Sequence, residues 1–405
     1  MLVAVIGGGA SGMAAAYAAA NVGAEVILFE RNEKLGKKLF ISGKGRCNLT
    51  NNSDIEQHIA NVIRNPRFLY SAYHAFSPED LMHLIESCGV SLKTERGGRV
   101  FPVSDKSSDI LRAWKELLDR VRVKVHLEER VHAIRIVGEC FEVETPVGSY
   151  SFDRVIICTG GMTYQTTGSS GDGYRFAAKL GHKITDLLPS LVGIKGDIPQ
   201  SLPGLSLKNV ELNVFLKGKP LFTEFGEMLF THTGISGPIV LRASARINRL
   251  NIKDITLSLD LKPALSIETL DARLLRDLGD ERNRMIKKVL PELMPKSLIS
   301  LVLSRAEIDP ETPCHSITKE ERKRLAQVVK NIEIVPVGLE ETNGAIVTSG
   351  GVSITEINAK DMQSKLVRGL YFAGEILDVD ALTGGYNLQI AFSTGYLAGT
   401  KAVTD

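Results

Sequence analysis

The chain has 405 residues, which is long for one compact core and predicts two or three domains. Its 49 basic and 47 acidic residues nearly cancel, so no overall charge attracts a polyanion, and any nucleic-acid contact would need a local basic cluster. Five scattered cysteines without a C-x-x-C pair argue against a disulfide framework and a metal site, and they favour a reducing, cytoplasmic compartment.

The first predicted elements form a β-α-β unit. Residues 2–6 (LVAVI) are an apolar run typical of a strand buried on both faces, and residues 11–22 are an alanine-rich helix. A second strand follows at 24–29 (AEVILF). The opening is apolar enough to imitate a signal peptide, but its glycine cluster fits the turn of such a unit better.

Further along, residues 107–120 predict a helix and residues 121–157 alternate like strands. Residues 160–173 are polar and glycine-rich, which predicts a loop. The final apolar stretch predicts a strand at 369–375 and a helix from about Tyr386 to Val403. No stretch is long and apolar enough to predict a membrane span.

Composition shifts divide the chain into five expected segments. A nucleotide-binding domain is predicted in two parts, and an inserted β domain and a helical subdomain lie between them. The segments are 1–189 (first part of the nucleotide-binding domain), 190–262 (inserted β domain), 263–331 (helical subdomain), 332–348 (return strands of the insertion) and 349–405 (second part).

The residues Gly7, Gly9 and Gly12 form a G-x-G-x-x-G motif between the first strand and the first helix. Glu30 ends the next strand, so the context of a dinucleotide-binding unit is complete. Gly7 allows the tight turn, Gly9 lets a pyrophosphate touch the backbone and Gly12 lets helix and strand pack closely. We expect Ala10 and Ser11 to belong to the same phosphate site, and Glu30 to bind the adenosine ribose.

The stretch GKKLFISGKGRCNLTN at 36–51 combines positive charge, glycines and amide side chains. Such a segment suits a long, doubly anionic cofactor that extends beyond the first helix, so it favours FAD over NAD. The expected contacts in and before this stretch are Arg31, Lys37, Gly43, Lys44, Gly45, Arg46 and Asn48. Thr159 and Gly160, where the glycine-rich loop begins, are also expected to contact FAD.

Near the C-terminus, Gly384 and Gly385 stand directly before the last helix, followed by Asn387, Leu388 and Gln389. Two glycines there expose the helix N-terminus, which carries roughly half a positive charge. Reduced flavin holds negative charge around N1 and the C2 carbonyl, so this helix end is expected to stabilise the reduced cofactor. An ordinary helix start is the alternative.

Several motifs together resemble a bacterial family known as NAD(P)/FAD-dependent or aminoacetone oxidase family oxidoreductases, which includes a bile-acid enone reductase. They are VIGGGASG, GKKLFISGKGRCNLTN, THTGISGP, TSGGV and FAGEILDVDALTGGYNLQ, in order along the whole chain. The resemblance implies an α/β fold: a glutathione-reductase-type Rossmann FAD domain with an inserted β-rich domain and a small helical subdomain. It also implies that Val131 holds the adenine edge and that Gly374 and Glu375 approach the ribityl chain and pyrophosphate.

Two residues are candidates for catalysis. His232 lies in the turn-rich THTGISGP stretch and could donate a proton, although a structural histidine fits equally well. Cys47 could be redox-active beside a flavin, but it lacks a partner cysteine at C-x-x-C or C-x4-C spacing, which favours a packed, inert thiol.

The expected function is transfer of hydride between a small organic substrate and noncovalent FAD, in a cleft between the FAD domain and the insertion. No second G-x-G-x-x-G follows a strand, so NADH or NADPH would reach the flavin through the substrate cleft, or oxygen would be the redox partner. An RNA-modifying flavoprotein and a non-catalytic FAD-binding regulator are the alternatives. The mixed charge of the insertion and its few aromatic residues argue against nucleic acid.

Overall fold

The computed structural model describes residues 1–404, and Asp405, the last residue of the expected segment 349–405, lies outside the described residues. The chain forms two compact units. The first comprises Met1–Ser190 and the chain from Thr342 onward, and the second comprises Leu191–Glu341.

The helices, in chain order, are α1 (Ala10–Asn21), α2 (Lys37–Gly45), α3 (Ile55–Ala60), α4 (Tyr70–Ala75), α5 (Pro78–Glu86), α6 (Ser107–Arg120), α7 (Asp172–Lys179), α8 (Pro238–Ile247), α9 (Ile267–Asp280), α10 (Ile286–Val289), α11 (Lys296–Arg305), α12 (Lys319–Lys330) and α13 (Tyr386–Thr404). The strands are β1 (Leu2–Ile6), β2 (Glu25–Phe29), β3 (Thr50–Asn51), β4 (Val62–Arg64), β5 (Leu92–Glu95), β6 (Arg99–Pro102), β7 (Lys124–His126), β8 (Ala133–Val137), β9 (Cys140–Glu144), β10 (Ser149–Phe152), β11 (Arg154–Ile157), β12 (Leu188–Ser190), β13 (Ile194–Gly196), β14 (Ser206–Leu216), β15 (Lys219–Phe230), β16 (Gly234–Ser236), β17 (Ile255–Asp260), β18 (Ile332–Ile334), β19 (Pro336–Leu339), β20 (Val347–Ser349), β21 (Leu370–Phe372) and β22 (Asp380–Ala381).

The first unit is built on a five-stranded parallel sheet with the order β21-β11-β1-β2-β7. Its central strand, β1, is buried from Val3 to Ile6, as its apolar sequence predicts. The predicted β-α-β unit and the α/β fold class are confirmed. The predicted alternation at 121–157 corresponds to β7 and β11 of this sheet and to a separate antiparallel sheet, β10-β9-β8.

The smaller sheets of the first unit join segments that are distant in the chain. Strand β12 pairs with β20, and β22 pairs with β4, both antiparallel. A third small sheet has the order β3-β6-β5. The β12–β20 and β22–β4 pairings connect the N-terminal part of the chain to the part that follows Thr342.

The second unit contains a seven-stranded sheet with the order β18-β17-β14-β15-β16-β13-β19, all of whose pairings are antiparallel. Helices α8 to α12 belong to the same unit, and one hydrophobic cluster joins strand residues such as Leu212 and Leu257 with helix residues such as Leu270 and Val302. The sheet and the helices of this unit therefore share a core.

Among the described residues, no helix has both the length and the apolar character needed to cross a bilayer.

Helix α13 packs against α1 so closely that side chains are excluded between their backbones. A Cβ atom on Gly399 would lie 2.2 Å from the carbonyl oxygen of Ala15, and one on Gly395 would lie 2.2 Å from that of Ser11. On another side of α13, Phe392 stacks on Trp114 with ring centroids 5.1 Å apart. Because Trp114 is the only tryptophan in the chain, its fluorescence reports on this packing.

We expect Gly399→Ala to lower the free energy of unfolding of the first unit by about 1–3 kcal/mol, since the added methyl group must push two backbones apart. The measurement is urea unfolding followed by Trp114 fluorescence. The matched control is Gly279→Ala in α9, where an added Cβ has no atom within 4 Å. This variant should leave the Trp114 transition unchanged, and equal transitions for both variants would contradict the packing argument.

Candidate functional site

A cavity of about 230 Å³ lies in the first unit. Its lining includes Ile6, Phe29 and Cys158, which stand at or just beyond the carboxyl ends of β1, β2 and β11. This is the edge of a parallel sheet at which open α/β proteins bind their ligands. The C-terminal part of the chain completes the wall through α13.

The glycine turn after β1 forms one end of the cavity, and each of its three motif glycines has a different surrounding. Gly7 has φ +105°, and a Cβ there would lie 2.7 Å from the carbonyl oxygen of Cys158. A Cβ on Gly12 would lie 1.8 Å from the carbonyl oxygen of Gly7, so helix and turn are in backbone contact. At Gly9 a Cβ would have no protein atom within 4 Å, which leaves its backbone open to the cavity.

Glu30 is held in a fixed position at the end of β2. Its Oε2 accepts a hydrogen bond from the amide of Gly8 at 2.8 Å. Its Oε1 accepts hydrogen bonds from the backbone amide of Asn32 at 2.9 Å and from the Asn32 side chain at 2.6 Å. Burial raises the pKa of the Glu30 carboxyl, and these hydrogen bonds oppose the rise.

Two arginines and one asparagine at the rim of the cavity bind the loop before α7 and the first residue of that helix. Arg31 Nη1 donates to Ser170 Oγ at 2.6 Å and lies 3.3 Å from Asp172 Oδ2. Arg130 donates to both carboxylate oxygens of Asp172, at 2.9 and 2.8 Å. The Asn32 side chain donates to the carbonyl oxygen of Thr167 at 3.0 Å. The glycine-rich loop therefore has a defined place beside Glu30.

These features fit a dinucleotide. The first amides of α1 have no partner within the helix, and no side chain caps its N-terminus. The hydroxyl of Thr159 lines the cavity and is buried with no hydrogen-bond partner within the described part of the chain. A buried donor without a partner costs about 1–3 kcal/mol, so a polar ligand at this wall would stabilise the protein.

The cavity brings together about half of the residues expected from the sequence to contact FAD. They come from five separate parts of the chain. Those that line it are Gly7, Gly9, Ala10, Ser11, Glu30, Arg31, Lys37, Val131, Thr159, Gly160, Glu375, Asn387 and Leu388.

Others, all within residues 1–404, are not among the residues that line the cavity: Gly12, Gly43, Lys44, Gly45, Arg46, Asn48, Gly374, Gly384, Gly385 and Gln389. Gly12 and Gly374 do not line the cavity, but they allow close packing next to it. A Cβ on Gly374 would lie 2.4 Å from the Ser11 hydroxyl oxygen, so this glycine lets the strand end approach α1.

Lys37 and Lys38 of the 36–51 stretch line the cavity, but Lys44 and Arg46 are directed elsewhere. Arg46 pairs with Glu95 at 2.8 Å and Asp105 at 3.2 Å, and its guanidinium lies 4.1 Å from the centre of the Phe101 ring. Lys44 is exposed, in a kink where the backbone leaves the helical conformation. The charge of Arg46 is thus neutralised by protein carboxylates at a distance from the cavity lining.

Asn48 and its neighbours bind the start of α13. The Asn48 amide donates to the carbonyl oxygen of Thr50 at 3.1 Å and accepts from the amide of Gly385 at 3.0 Å. Asn51 donates to the carbonyl oxygen of Gly384 at 3.0 Å, and Thr50 donates to Gln389 Oε1 at 2.6 Å. The amide side chains of Asn48 and Gln389, both expected to contact FAD, are engaged in joining the 36–51 stretch to the start of α13.

Neither catalytic candidate lines this cavity in the part of the chain that the structure describes. Cys47 is fully buried, and burial raises the pKa of its thiol to about 12. Burial and this raised pKa argue against a reactive thiolate at this position. His232 is exposed in the turn between β15 and β16 of the second unit.

Sequence reasoning missed several polar residues of the cavity wall, namely Asn32, Lys38, Ser42, Glu129, Arg130, Thr167, Ser169 and Asp172. Some signals were present. Lys38 lies within the quoted basic stretch, and Asp172 belongs to an S-G-D-G sequence that precedes a helix. The pattern alone did not show that this loop folds back to the end of β2.

Known proteins resemble this chain over almost its full length. The family described as HI0933-like protein Rossmann domain matches residues 1–401. A 3-dehydro-bile acid delta(4,6)-reductase from Clostridium scindens is 31% identical, and the match covers 99% of this chain and 98% of the relative. A ribosomal RNA dihydrouridine synthase from Haemophilus influenzae is 30% identical, with 97% and 96% covered.

The fold is also shared with a solved structure of 3-ketosteroid delta1-dehydrogenase from Sterolibacterium denitrificans, with a TM-score of 0.53 and 13% identity. That match covers 100% of this chain and 99% of the other. Fold and site together define an FAD-dependent oxidoreductase of the Rossmann type. The particular family is the HI0933-like family, to which the chain belongs.

We expect Cys47 to resist alkylation in the native protein at about pH 8. A pKa near 12 leaves roughly 1,000-fold less thiolate than an ordinary cysteine has. The half-buried Cys140 is the internal control and should react first. Mass spectrometry of peptides after iodoacetamide treatment measures both sites. Equal labelling of Cys47 and Cys140 before unfolding would contradict a buried, protonated thiol.

Proposed function

We propose that this protein reduces a carbon–carbon double bond that is conjugated to a carbonyl group, with FAD bound noncovalently in the cavity of the first unit. The observation that carries the cofactor position is the glycine turn, where Gly9 is open to the cavity beside the fixed carboxylate of Glu30. NADH or NADPH is the proposed source of electrons.

The substrate class is supported by the chemistry that two relatives share. The Clostridium scindens relative is named as a reductase of delta(4,6) double bonds in a 3-dehydro bile acid. The Haemophilus influenzae relative is named for making dihydrouridine, in which a ring double bond of uridine is saturated. In both substrates the double bond is conjugated to a carbonyl group, which stabilises the negative charge left when hydride is added.

The residues of the cavity suggest how the cofactor would be held. The open backbone at Gly9 and the free amides of Ala10 and Ser11 would bind the diphosphate. Glu30 would accept hydrogen bonds from the adenosine ribose, and the backbone of Val131 would bind the adenine edge. Asn387 and Leu388, at the start of α13, would lie against the flavin, whose ring supplies the hydride-transfer chemistry when bound.

The side chains around the start of α13 would position this helix end without contacting the cofactor. Asn48 accepts a hydrogen bond from the amide of Gly385, and Asn51 donates one to the carbonyl oxygen of Gly384. The amides of Asn387 and Leu388 lie in the first turn of α13, where a partial positive charge is concentrated. An anionic group beside them would be stabilised electrostatically.

A small conjugated ketone is the first candidate substrate, and uridine in ribosomal RNA is the second. The second candidate is favoured by the rRNA-modifying relative, which is nearly as similar as the bile-acid reductase. For either substrate we propose a cytoplasmic location, which the free cysteines of the described chain support.

The proposed function is tested by supplying the purified holoenzyme with NADH or NADPH and one substrate at a time. A conjugated steroid ketone and its saturated counterpart form one matched pair. Ribosomal RNA from cells that lack this protein forms the other arm, with dihydrouridine measured by nucleoside mass spectrometry. We expect the conjugated ketone or the RNA to be reduced and the saturated ketone to be unchanged. Flavin that is reduced by NAD(P)H but passes hydride to neither substrate would refute the proposal.

We expect Gly9→Val to fold normally and to lose FAD. Its backbone has φ −80° and ψ −169°, which valine tolerates, but the new side chain would occupy the proposed diphosphate site. The FAD-to-protein ratio from the visible spectrum should fall at least about tenfold, as expected for a lost phosphate contact. Urea unfolding followed by Trp114 fluorescence checks the fold.

Gly148→Val is the control for this variant, because a Cβ at Gly148 also has no atom within 4 Å and this glycine lies in a turn outside the cavity. It should retain FAD at the wild-type ratio. A Gly9→Val protein that remains fully yellow would place the cofactor elsewhere.

A further inference from the structure

Lys38 and Glu375 form an ion pair on the wall of the cavity. The Lys38 ammonium lies 2.6 Å from Glu375 Oε2, and both residues line the cavity. The two residues are 337 positions apart in the sequence. Both side chains are largely shielded from solvent, with 28% and 17% of their surfaces exposed. The pair is therefore a feature of the cavity itself.

Lys38 and Glu375 each make further hydrogen bonds within the protein. Lys38 donates a second hydrogen bond to Thr163 Oγ1 at 2.8 Å. Glu375 Oε1 accepts from the backbone amide of Thr348 at 2.9 Å and lies 3.3 Å from Thr163 Oγ1. Segments from α2, from the loop after β11, from β20 and from the end of β21 thus meet at one carboxylate. Hydrogen bonds with Thr348 and Thr163 therefore hold Glu375 in place in addition to its ion pair with Lys38.

A carboxylate in this cavity raises an electrostatic problem for the proposed cofactor. The diphosphate of FAD carries two negative charges, and like charges in a partly desolvated site repel each other. Lys37, the neighbouring lysine, forms its ion pair with Glu33, 2.7 Å away at 55% exposure. Lys38 is the lysine that faces Glu375.

We propose that Lys38 is a positioning residue that neutralises the negative charge of Glu375. The cavity can then bind the diphosphate of FAD close to this carboxylate, which is hydrogen-bonded to several segments of the cavity wall. This inference rests on the proposed position of FAD. It assigns the effect of Lys38 to Glu375 and not to a direct contact with phosphate.

Three holoenzyme variants separate these two roles: Lys38→Met, Glu375→Gln and the double variant. The measured quantity is the rate at which FAD leaves the holoenzyme after dilution, followed by the recovery of flavin fluorescence. Lys38→Met should raise this rate by about tenfold or more, because an unpaired carboxylate remains beside the diphosphate. Glu375→Gln removes the charge and keeps an oxygen that can accept from Thr348, so this variant serves as the charge-free background in which the effect of Lys38→Met is measured again.

The double variant decides the question. If Lys38 acts by neutralising Glu375, the double variant should release FAD within about threefold of the rate of Glu375→Gln alone. If Lys38→Met raises the rate about tenfold in the Glu375→Gln background as well, Lys38 contacts the cofactor directly and the inference is overturned.

Lys124→Met is the matched control, because Lys124 forms an exposed ion pair with Glu25 at 2.6 Å and is not among the cavity residues. It should release FAD at the wild-type rate. Wild-type protein that retains no FAD would overturn the cofactor position and this inference together. Wild-type protein that retains FAD but reduces neither test substrate would refute only the substrate proposal and leave the Lys38 test valid.

Discussion

Close backbone contact around helix α1 is the constraint on which the first unit depends. The N-terminal turn of this helix touches the turn after β1 through Gly12, and its other side receives α13 through Gly395 and Gly399. Between these contacts α1 carries mainly alanine, which leaves no room for a shift in either direction. The amides at the start of α1 are therefore held against the sheet edge by packing on two sides, and the cavity has a rigid end.

A second consequence of this packing is that the C-terminal part of the chain contributes to the same cavity. Helix α13 is fixed on α1 at one end and by Thr50 and Asn51 at the other. A Cβ on Gly385 would lie 2.3 Å from the carbonyl of Thr50, so the glycine is required where the two segments cross. The conspicuous glycines of the C-terminal motif thus serve the joining of chain segments, and the residues that follow them reach the cavity.

The carboxylates that line the cavity are each paired with nearby donors or cations. Glu30 is surrounded by hydrogen-bond donors, Asp172 by three arginines, and Glu375 by a lysine and a backbone amide. Each carboxylate has a local partner, so the wall combines acidic groups with the free amides of a helix N-terminus. Such a wall can hold a dianionic cofactor and still present acceptors to its sugar hydroxyls.

The sequence by itself determined the β-α-β unit, the glycine turn and the carboxylate at the end of β2, because each of these depends on neighbours within about 30 residues. It also favoured a packed, inert thiol at Cys47, a residue that is buried in the structure. Only the tertiary structure decided that Arg46 pairs with Glu95, that Asn48 binds Gly385 and that Lys38, rather than Lys37, meets Glu375. A short motif shows which donors and charges are present, but their partners lie up to 337 positions away, and packing alone determines which of them come within hydrogen-bond distance.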